Sequence, residues 1–207
     1  MHIAIAGNIG SGKTTLTNML SKHFDWEIHH EEVENNPYLN DFYSDMERWA
    51  FNLEVFFLNN RFKQVMDIKA SGKDIIQDRT IYEGALIFAA NLHSMGSLSK
   101  RDFENYNSLF ALMNNFITPP DLLIYLKAST ATLIRQIKKR GRDFESKIEE
   151  SYLINLNKRY EEWISNYEHE NLLILEVDEL DFLNTKPDFD FIIDKINKQL
   201  SPSIDLR

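Results

Sequence analysis

The sequence predicts an α/β domain built on a parallel sheet with helices on both faces, and three observations carry that prediction. Five short apolar runs recur along the chain, segments with helical apolar spacing separate them, and a Gly-rich turn links the first run to the first such segment. A doubly wound sheet of this kind binds ligands outside the carboxyl ends of its strands.

The elements follow in order. The run "HIAIA" (2–6) reads as the first strand, and helical spacing takes over from 13 to 23. "EIHH" (27–30) is the second strand, followed by a long helix from about 46 to 70 that stops at Ser71-Gly72. "DIIQD" (74–78) is the third strand, and helices over 81–95 and 100–117 follow it, separated at Gly96. Pro119-Pro120 ends the second of these just before the fourth strand, "DLLIYL" (121–126). Helices over 130–140 and 147–168 lead to the fifth strand, "NLLILEV" (171–177), and a last helix covers 188–200.

Composition narrows the function classes. In 207 residues, 43% hydrophobic, no compositional break marks a second core, so one domain over 1–207 is expected. Thirty-two acidic against 23 basic residues, a net charge of -9, disfavours a nucleic-acid or anionic-membrane partner. The lack of cysteine removes disulfides, thiolate zinc sites and a cysteine nucleophile. "MHIAIAGNIGSGK" lacks a basic leader region and breaks into glycines after five apolar residues, which points to a cytoplasmic protein with no membrane segment.

Residues 7–14, Gly7-Asn8-Ile9-Gly10-Ser11-Gly12-Lys13-Thr14, match G-x-x-x-x-G-K-[ST] between a strand and a helix, the context that makes the motif a P-loop. Successive backbone N–H groups can curl around an anion at the helix N-terminus. Lys13 can reach the β- and γ-phosphates, and the Thr14 hydroxyl, followed by Thr15, can ligate magnesium. A nucleoside triphosphate with Mg2+ is the expected cofactor pair, and the motif alone leaves a GTPase switch, a nucleoside or nucleotide kinase and an ATPase motor open. A guanine-specific GTPase switch needs N-K-x-D late in the chain; the nearest run, Asn184-Thr185-Lys186-Pro187-Asp188, has the wrong spacing.

The acceptor side shows in "IHHEEVENNPY" (28–38), which sets Glu31 and Glu32 at the end of the second strand. A phosphate acceptor needs no base, whereas a nucleoside 5′-hydroxyl loses a proton during attack, so a carboxylate there favours a hydroxyl acceptor. Asp78-Arg79-Thr80 closes the third strand: Asp78 can support the metal shell and Arg79 can neutralise charge on the transferring group, while Asp78 or Thr80 can also cap a helix. "RQIKKRGRDFE" (135–145) is the one basic cluster; without interleaved aromatics it reads as a lid over phosphates, about 139–147, with Arg140 and Arg142 flanking a hinge at Gly141.

P-loop, Glu31-x-Val33, Asp78-Arg79-Thr80 and Arg-rich lid, in that order, resemble the deoxyribonucleoside kinase family over residues 1 to about 182. The resemblance implies a P-loop kinase fold with five strands in the order 2-3-1-4-5. It also implies a homodimer through the long helices from about 46 and about 81. It makes Glu31 the general base, with Glu32 standing where many members carry proline, and Arg79, Arg140 and Arg142 the active-site and lid arginines. Tyr43 and Glu145 resemble the pair that holds the deoxyribose 3′-hydroxyl. Phe88 resembles the aromatic that stacks on the base, and Trp49 and Leu53 fit pocket walls. "DELDF" (178–182), with Asp181 and Phe182, resembles the loop at the donor adenine.

Within "AFNLEVFFLNNRF" (50–62), Glu54 stands where much of the family has a glutamine that reads the base. Glutamine offers one donor and one acceptor, suited to adenine or cytosine; an ionised Glu offers acceptors only, suited to the N1–H and N2 amino donors of guanine. Arg61, seven residues on, lies on the same helical face, where it can balance Glu54 and reach a purine O6/N7 edge. Gly84 stands where some relatives carry an aspartate, which leaves volume for a purine. The expected reaction is transfer of the γ-phosphoryl of Mg-ATP to the 5′-hydroxyl of a purine deoxyribonucleoside, deoxyguanosine preferred. Deoxyadenosine or broader deoxynucleoside kinase activity is the alternative, and a thymidylate-kinase-like nucleotide kinase the more distant one.

Overall fold

A computed structural model describes residues 1–201 apart from 32, 34–35, 143–144, 146–147 and 169–170. Five parallel strands form one sheet in the order β2-β3-β1-β4-β5. They are β1 (His2–Gly7), β2 (Glu27–His29), β3 (Ile75–Asp78), β4 (Leu122–Lys127) and β5 (Leu172–Glu176).

Alternation along the central strands divides the interior into two layers. Ile3 and Ile5 of β1, with Leu122, Ile124 and Leu126 of β4, face a core that includes α1 (Lys13–Phe24), α7 (Thr130–Arg140) and α9 (Lys186–Leu200). Ala4 and Ala6, with Leu123 and Tyr125, face the opposite core with α3 (Met46–Ser71), α6 (Lys100–Asn114) and α8 (Glu150–Ser165). Successive side chains on a strand point to opposite faces, so a sheet covered on both sides reads as an unbroken apolar run.

Helix α3 positions much of the candidate site. Asp45 caps its first turn by accepting the Arg48 N–H at 3.1 Å, and Gly72 ends it at φ 64°. Its buried residues include Ala50, Leu53, Glu54, Leu58, Arg61, Val65 and Ile68, a three-and-four spacing that aims one stripe inward. Glu54 and Arg61 therefore share the stripe with leucine and valine.

The structure departs from the expected elements in several places. The six-residue α2 (Leu39–Ser44) is additional. The expected continuous helix over 81–95 is instead α4 (Ile81–Glu83), a π-helical stretch (Gly84–Ala89) and α5 (Ala90–Ser94). The wider π winding inserts a residue per turn and shifts the helix face that follows. Helix α8 starts at Glu150 rather than 147, and β2 is one residue shorter than expected. The stretch 143–144 and 146–147 of the expected lid, and Glu32, lie outside the described residues. Among the described residues no helix is long and apolar enough to cross a membrane.

Candidate active site

The Gly-rich turn between β1 and α1 has the backbone its sequence demands. Gly10 and Gly12 sit at φ 85° and 94°, where side-chain-bearing residues are strained, and a Cβ on Gly10 would lie 2.8 Å from the Leu133 carbonyl oxygen. Asn8 ties the turn to α8: its Nδ2 donates to the Leu153 carbonyl at 3.0 Å and to Asn157 Oδ1 at 2.6 Å. Lys13 Nζ donates to the Gly7 and Asn8 carbonyls at 2.8 and 3.0 Å. Burial, with Arg79 nearby, pulls the Lys13 ammonium down to about 8, so it stays largely charged at neutral pH and an anion in the turn would strengthen that charged form.

Thr14 Oγ1 donates to Asp78 Oδ2 at 2.6 Å, and the other oxygen of Asp78 is buried with no partner among the described residues. Burial raises the Asp78 carboxyl above its ordinary value despite Lys13. A hydroxyl beside an orphaned carboxylate oxygen, at the mouth of a phosphate-sized turn, is a donor set that fits a hydrated magnesium ion.

A cavity of about 420 Å³ opens at the carboxyl ends of β1, β2 and β3. Its wall gathers Lys13, Thr14 and Asp78 with Glu31, Tyr43, Leu53, Glu54, Arg61, Arg79, Phe88, Arg140, Arg142 and Glu145. Residues that sequence reasoning did not single out complete it, among them His30, Phe42, Phe57 and Tyr152.

Glu31 is the electrostatic centre. Arg61 Nη2 donates to its Oε1, and Arg79 Nε lies 3.0 Å from the same oxygen. Burial raises the carboxyl, but Arg79, Arg61 and Lys13 outweigh it and hold it down to about 2, so Glu31 is ionised at any physiological pH. Arg79 itself adopts φ 76°, a left-handed backbone for a residue with a side chain. Its guanidinium donates to Tyr160 Oη at 2.9 Å and Glu83 Oε1 at 3.2 Å and lies 4.6 Å over the Phe88 ring.

Glu83, fully buried, locks this arrangement. It accepts from the Gly7 N–H at 3.2 Å, from Tyr160 Oη at 2.7 Å and from the Thr80 N–H at 2.6 Å, the last as half of a capping box. Tyr160 also meets the Gly7 carbonyl at 2.8 Å. One carboxylate thus ties the Gly-rich turn to Arg79. Sequence reasoning passed over Glu83, although Thr80-Ile81-Tyr82-Glu83 carries the T-x-x-E pattern of such a box; Tyr160, a lone tyrosine on α8, carries no comparable signal. Tyr160→Phe is expected to lower folding stability by about 1–3 kcal/mol, since it strips a partner from buried charged groups, and a urea denaturation midpoint checks it.

Several expected placements are corrected. Arg61 does not balance Glu54: among the described residues its ion pair is with Glu31, leaving Glu54 Oε2 buried and without a partner. Gly84 does not open space to a ligand. It is absent from the cavity wall, and a Cβ there would stand 2.9 Å from the buried Tyr106 hydroxyl and 3.6 Å from Arg61 Nη1, so Tyr106 of α6 fills the room behind it. Trp49 is not part of the wall; it packs against Tyr38 under the Arg48 guanidinium. Tyr43 and Glu145, by contrast, do share the cavity wall, the Glu145 charge adding to the burial that raises the Tyr43 hydroxyl, and Glu145 also meets Arg140 through bonds of 2.6 and 3.0 Å and Arg142 at 3.6 Å. Asp181 and Phe182 are expected at the donor base and not in this cavity; Phe182 packs 3.1 Å from a Cβ position on Gly12, and Asp181 accepts from Asn184 ahead of α9. Ser11, Gly12 and Thr15, expected on the donor side, belong to the turn and the first turn of α1.

Glu54 is 3% exposed, and burial, with Glu31 nearby, pushes its carboxyl up to about 8 against the opposing pull of Arg61 and Arg79. The unfolded chain, with an ordinary value of 4.5, gives up this proton first as pH rises, so folded stability is present in full below that value and falls between about pH 4.5 and pH 8. Glu54→Gln is therefore expected to gain stability relative to the parent on going from pH 5 to pH 8, by an amount on the order of a few kcal/mol. Thermal melts of both proteins at the two pH values read this difference; equal gaps at both would contradict it.

The model of the deoxynucleoside kinase family matches residues 3–201. The chain is 40% identical over 196 residues to the deoxyadenosine/deoxycytidine kinase of Bacillus subtilis, covering 94% of this chain and 90% of that protein. It is 41% identical over 198 residues to the deoxyguanosine kinase of the same organism, covering 92% and 93%. It also superposes on the structure of deoxyadenosine kinase from M. mycoides with bound dATP, with a TM-score of 0.84 and 34% identity over 95% of this chain and 100% of that one.

Proposed function

Since the chain belongs to the deoxynucleoside kinase family and is an enzyme of that class, we propose that it transfers the γ-phosphoryl group of ATP to the 5′-hydroxyl of a purine deoxyribonucleoside, with deoxyguanosine preferred. Relatives that act on guanine and on adenine or cytosine nucleosides stand at nearly equal identity, so the choice of base rests on the cavity. The observation that carries it is the Glu54 carboxyl, buried in the cavity wall with one oxygen unpartnered.

Guanine presents two adjacent N–H donors, and an ionised carboxylate accepts both. Hydrogen bonds to a charged group contribute about 1.5–3 kcal/mol, against about 0.5–1.5 between neutral partners. Ionising a carboxyl held at about 8 costs about 0.7 kcal/mol at pH 7.5, less than that difference. A second reading, deoxyadenosine, is favoured by the same raised value: protonated Glu54 offers the one donor and one acceptor that adenine needs.

In this reading Glu31 accepts the 5′-hydroxyl proton while Arg79, held in its left-handed conformation, faces the charge that develops on the transferring group. Lys13 and the backbone of residues 7–14 hold the donor phosphates, and Arg140 and Arg142 exchange Glu145 for phosphate oxygens when ATP is bound. Thr14 and Asp78 would hold magnesium, which when bound supplies charge neutralisation on those oxygens. Tyr43 and Glu145 flank the deoxyribose, and Phe88 stacks on the base. Phe182, packed against Gly12, and Asp181 contact the donor base in this reading. The reading includes a homodimer, supported by the exposed Met66 and Leu86 on the two segments the resemblance assigns to that interface. Incubation of each of the four deoxynucleosides with γ-labelled ATP tests the whole: purine turnover led by deoxyguanosine is expected, and turnover confined to pyrimidines would overturn it.

A further inference from the structure

The Glu54 carboxyl lines the cavity among charges that oppose one another. Arg61, on the same helix, and Arg79, beyond β3, favour the ionised form, but both already pair with Glu31. Glu31, beyond β2, opposes it, and the hydroxyls of Tyr106 on α6 and Tyr152 on α8 face Glu54 as neutral groups. No ion pair fixes Glu54 among the described residues, and its Oε2 and the Tyr106 hydroxyl are both buried without a partner. Burial brings its titration to about 8, within reach of both forms near neutrality.

We propose that the proton on Glu54 selects the substrate. The ionised carboxylate takes 2-amino-6-oxopurine deoxynucleosides, and the protonated carboxyl takes a second class whose base sets an amino group beside an unprotonated ring nitrogen, as adenine and cytosine do. This deepens the reading of the cavity as a deoxynucleoside site and rests on it. The chemistry is one of matched donors. A carboxylate meeting the adenine ring nitrogen sets lone pair against lone pair, and a carboxylic acid meeting guanine sets its own proton against an N–H. Each mismatch leaves a buried polar group unpaired. The proton balances simply: taking up guanine releases one proton from protonated Glu54, and taking up adenine or cytosine releases none.

A quantitative consequence follows. If one class requires the ionised form and the other the protonated form, the ratio of their kcat/KM values is proportional to the ratio of the two forms, which changes about tenfold per pH unit. Glu31, Lys13 and the donor serve both classes alike, so their titrations cancel in the ratio.

The test is kcat/KM for deoxyguanosine and deoxyadenosine with ATP at several values between about pH 6 and pH 8.5. The logarithm of the guanine-to-adenine ratio is expected to rise with a slope near one in the parent and to stay flat in Glu54→Gln. A second measurement needs no variant: calorimetric binding at about pH 6.5 in two buffers of different ionisation enthalpy is expected to show close to one proton released with deoxyguanosine and none with deoxyadenosine. A flat ratio with both nucleosides turned over, turnover of only one of them at every pH, or equal proton release overturns the proposal while leaving the kinase reading intact. Failure to phosphorylate any deoxynucleoside overturns both.

Discussion

Replacing Glu31 by Gln lowers kcat for phosphorylation of the preferred deoxynucleoside by about 10²- to 10⁴-fold, the range that a positioned general base contributes. Glu31 is the only side chain that meets both Arg61 and Arg79 among the described ion pairs, two residues beyond the end of β2. Gln keeps the shape and one acceptor but cannot take a proton. The two arginines that hold the carboxylate near 2 also weaken it as a base, so the account requires that they turn part of their charge toward substrate when the cavity fills. A single-turnover measurement reads the chemical step alone. Full turnover in Glu31→Gln, with ATP binding intact, would remove Glu31 from the reaction.

Replacing Glu54 by Gln shifts the guanine-to-adenine preference toward adenine by about 10- to 200-fold, the equivalent of about 1–3 kcal/mol for a buried polar group left mismatched. The substitution changes one atom at the cavity wall and fixes the donor and acceptor pattern that protonated Glu54 has only part of the time. Because Arg61 is paired with Glu31 instead of Glu54, the change leaves no arginine newly orphaned. Glu54→Gln thus perturbs base reading with little effect on the phosphoryl-transfer end.

The strand order came only from the resemblance to the deoxyribonucleoside kinases, whereas the parallel sheet and the Gly-rich turn were legible because their signals are local: apolar runs of strand length, breakers between elements and a G-x-x-x-x-G-K-T run. The π-helical stretch was not, since "GALIFA" has the apolar character of an ordinary helix and the inserted residue shows only in the hydrogen bonds. The six residues of α2 are too few to display a helical period. At the site, sequence could bring charged residues to the strand ends but could not assign partners. Arg61 lies within reach of two carboxylates, and which one it takes depends on the loop after β2, far away in the chain. Gly84 misled for a related reason: the missing side chain was legible, while the tyrosine that fills its place comes from α6. Burying a carboxylate in an apolar helix face, the oddity visible in "AFNLEVFFLNNRF", left its trace in the raised titration of Glu54.

The most direct measurement is a competition at pH 7.5 in which equal deoxyguanosine and deoxyadenosine share limiting ATP, with the monophosphate products separated for the parent and Glu54→Gln side by side. The account predicts deoxyguanosine monophosphate in excess from the parent and deoxyadenosine monophosphate in excess from the variant. The same product ratio from both proteins would contradict it.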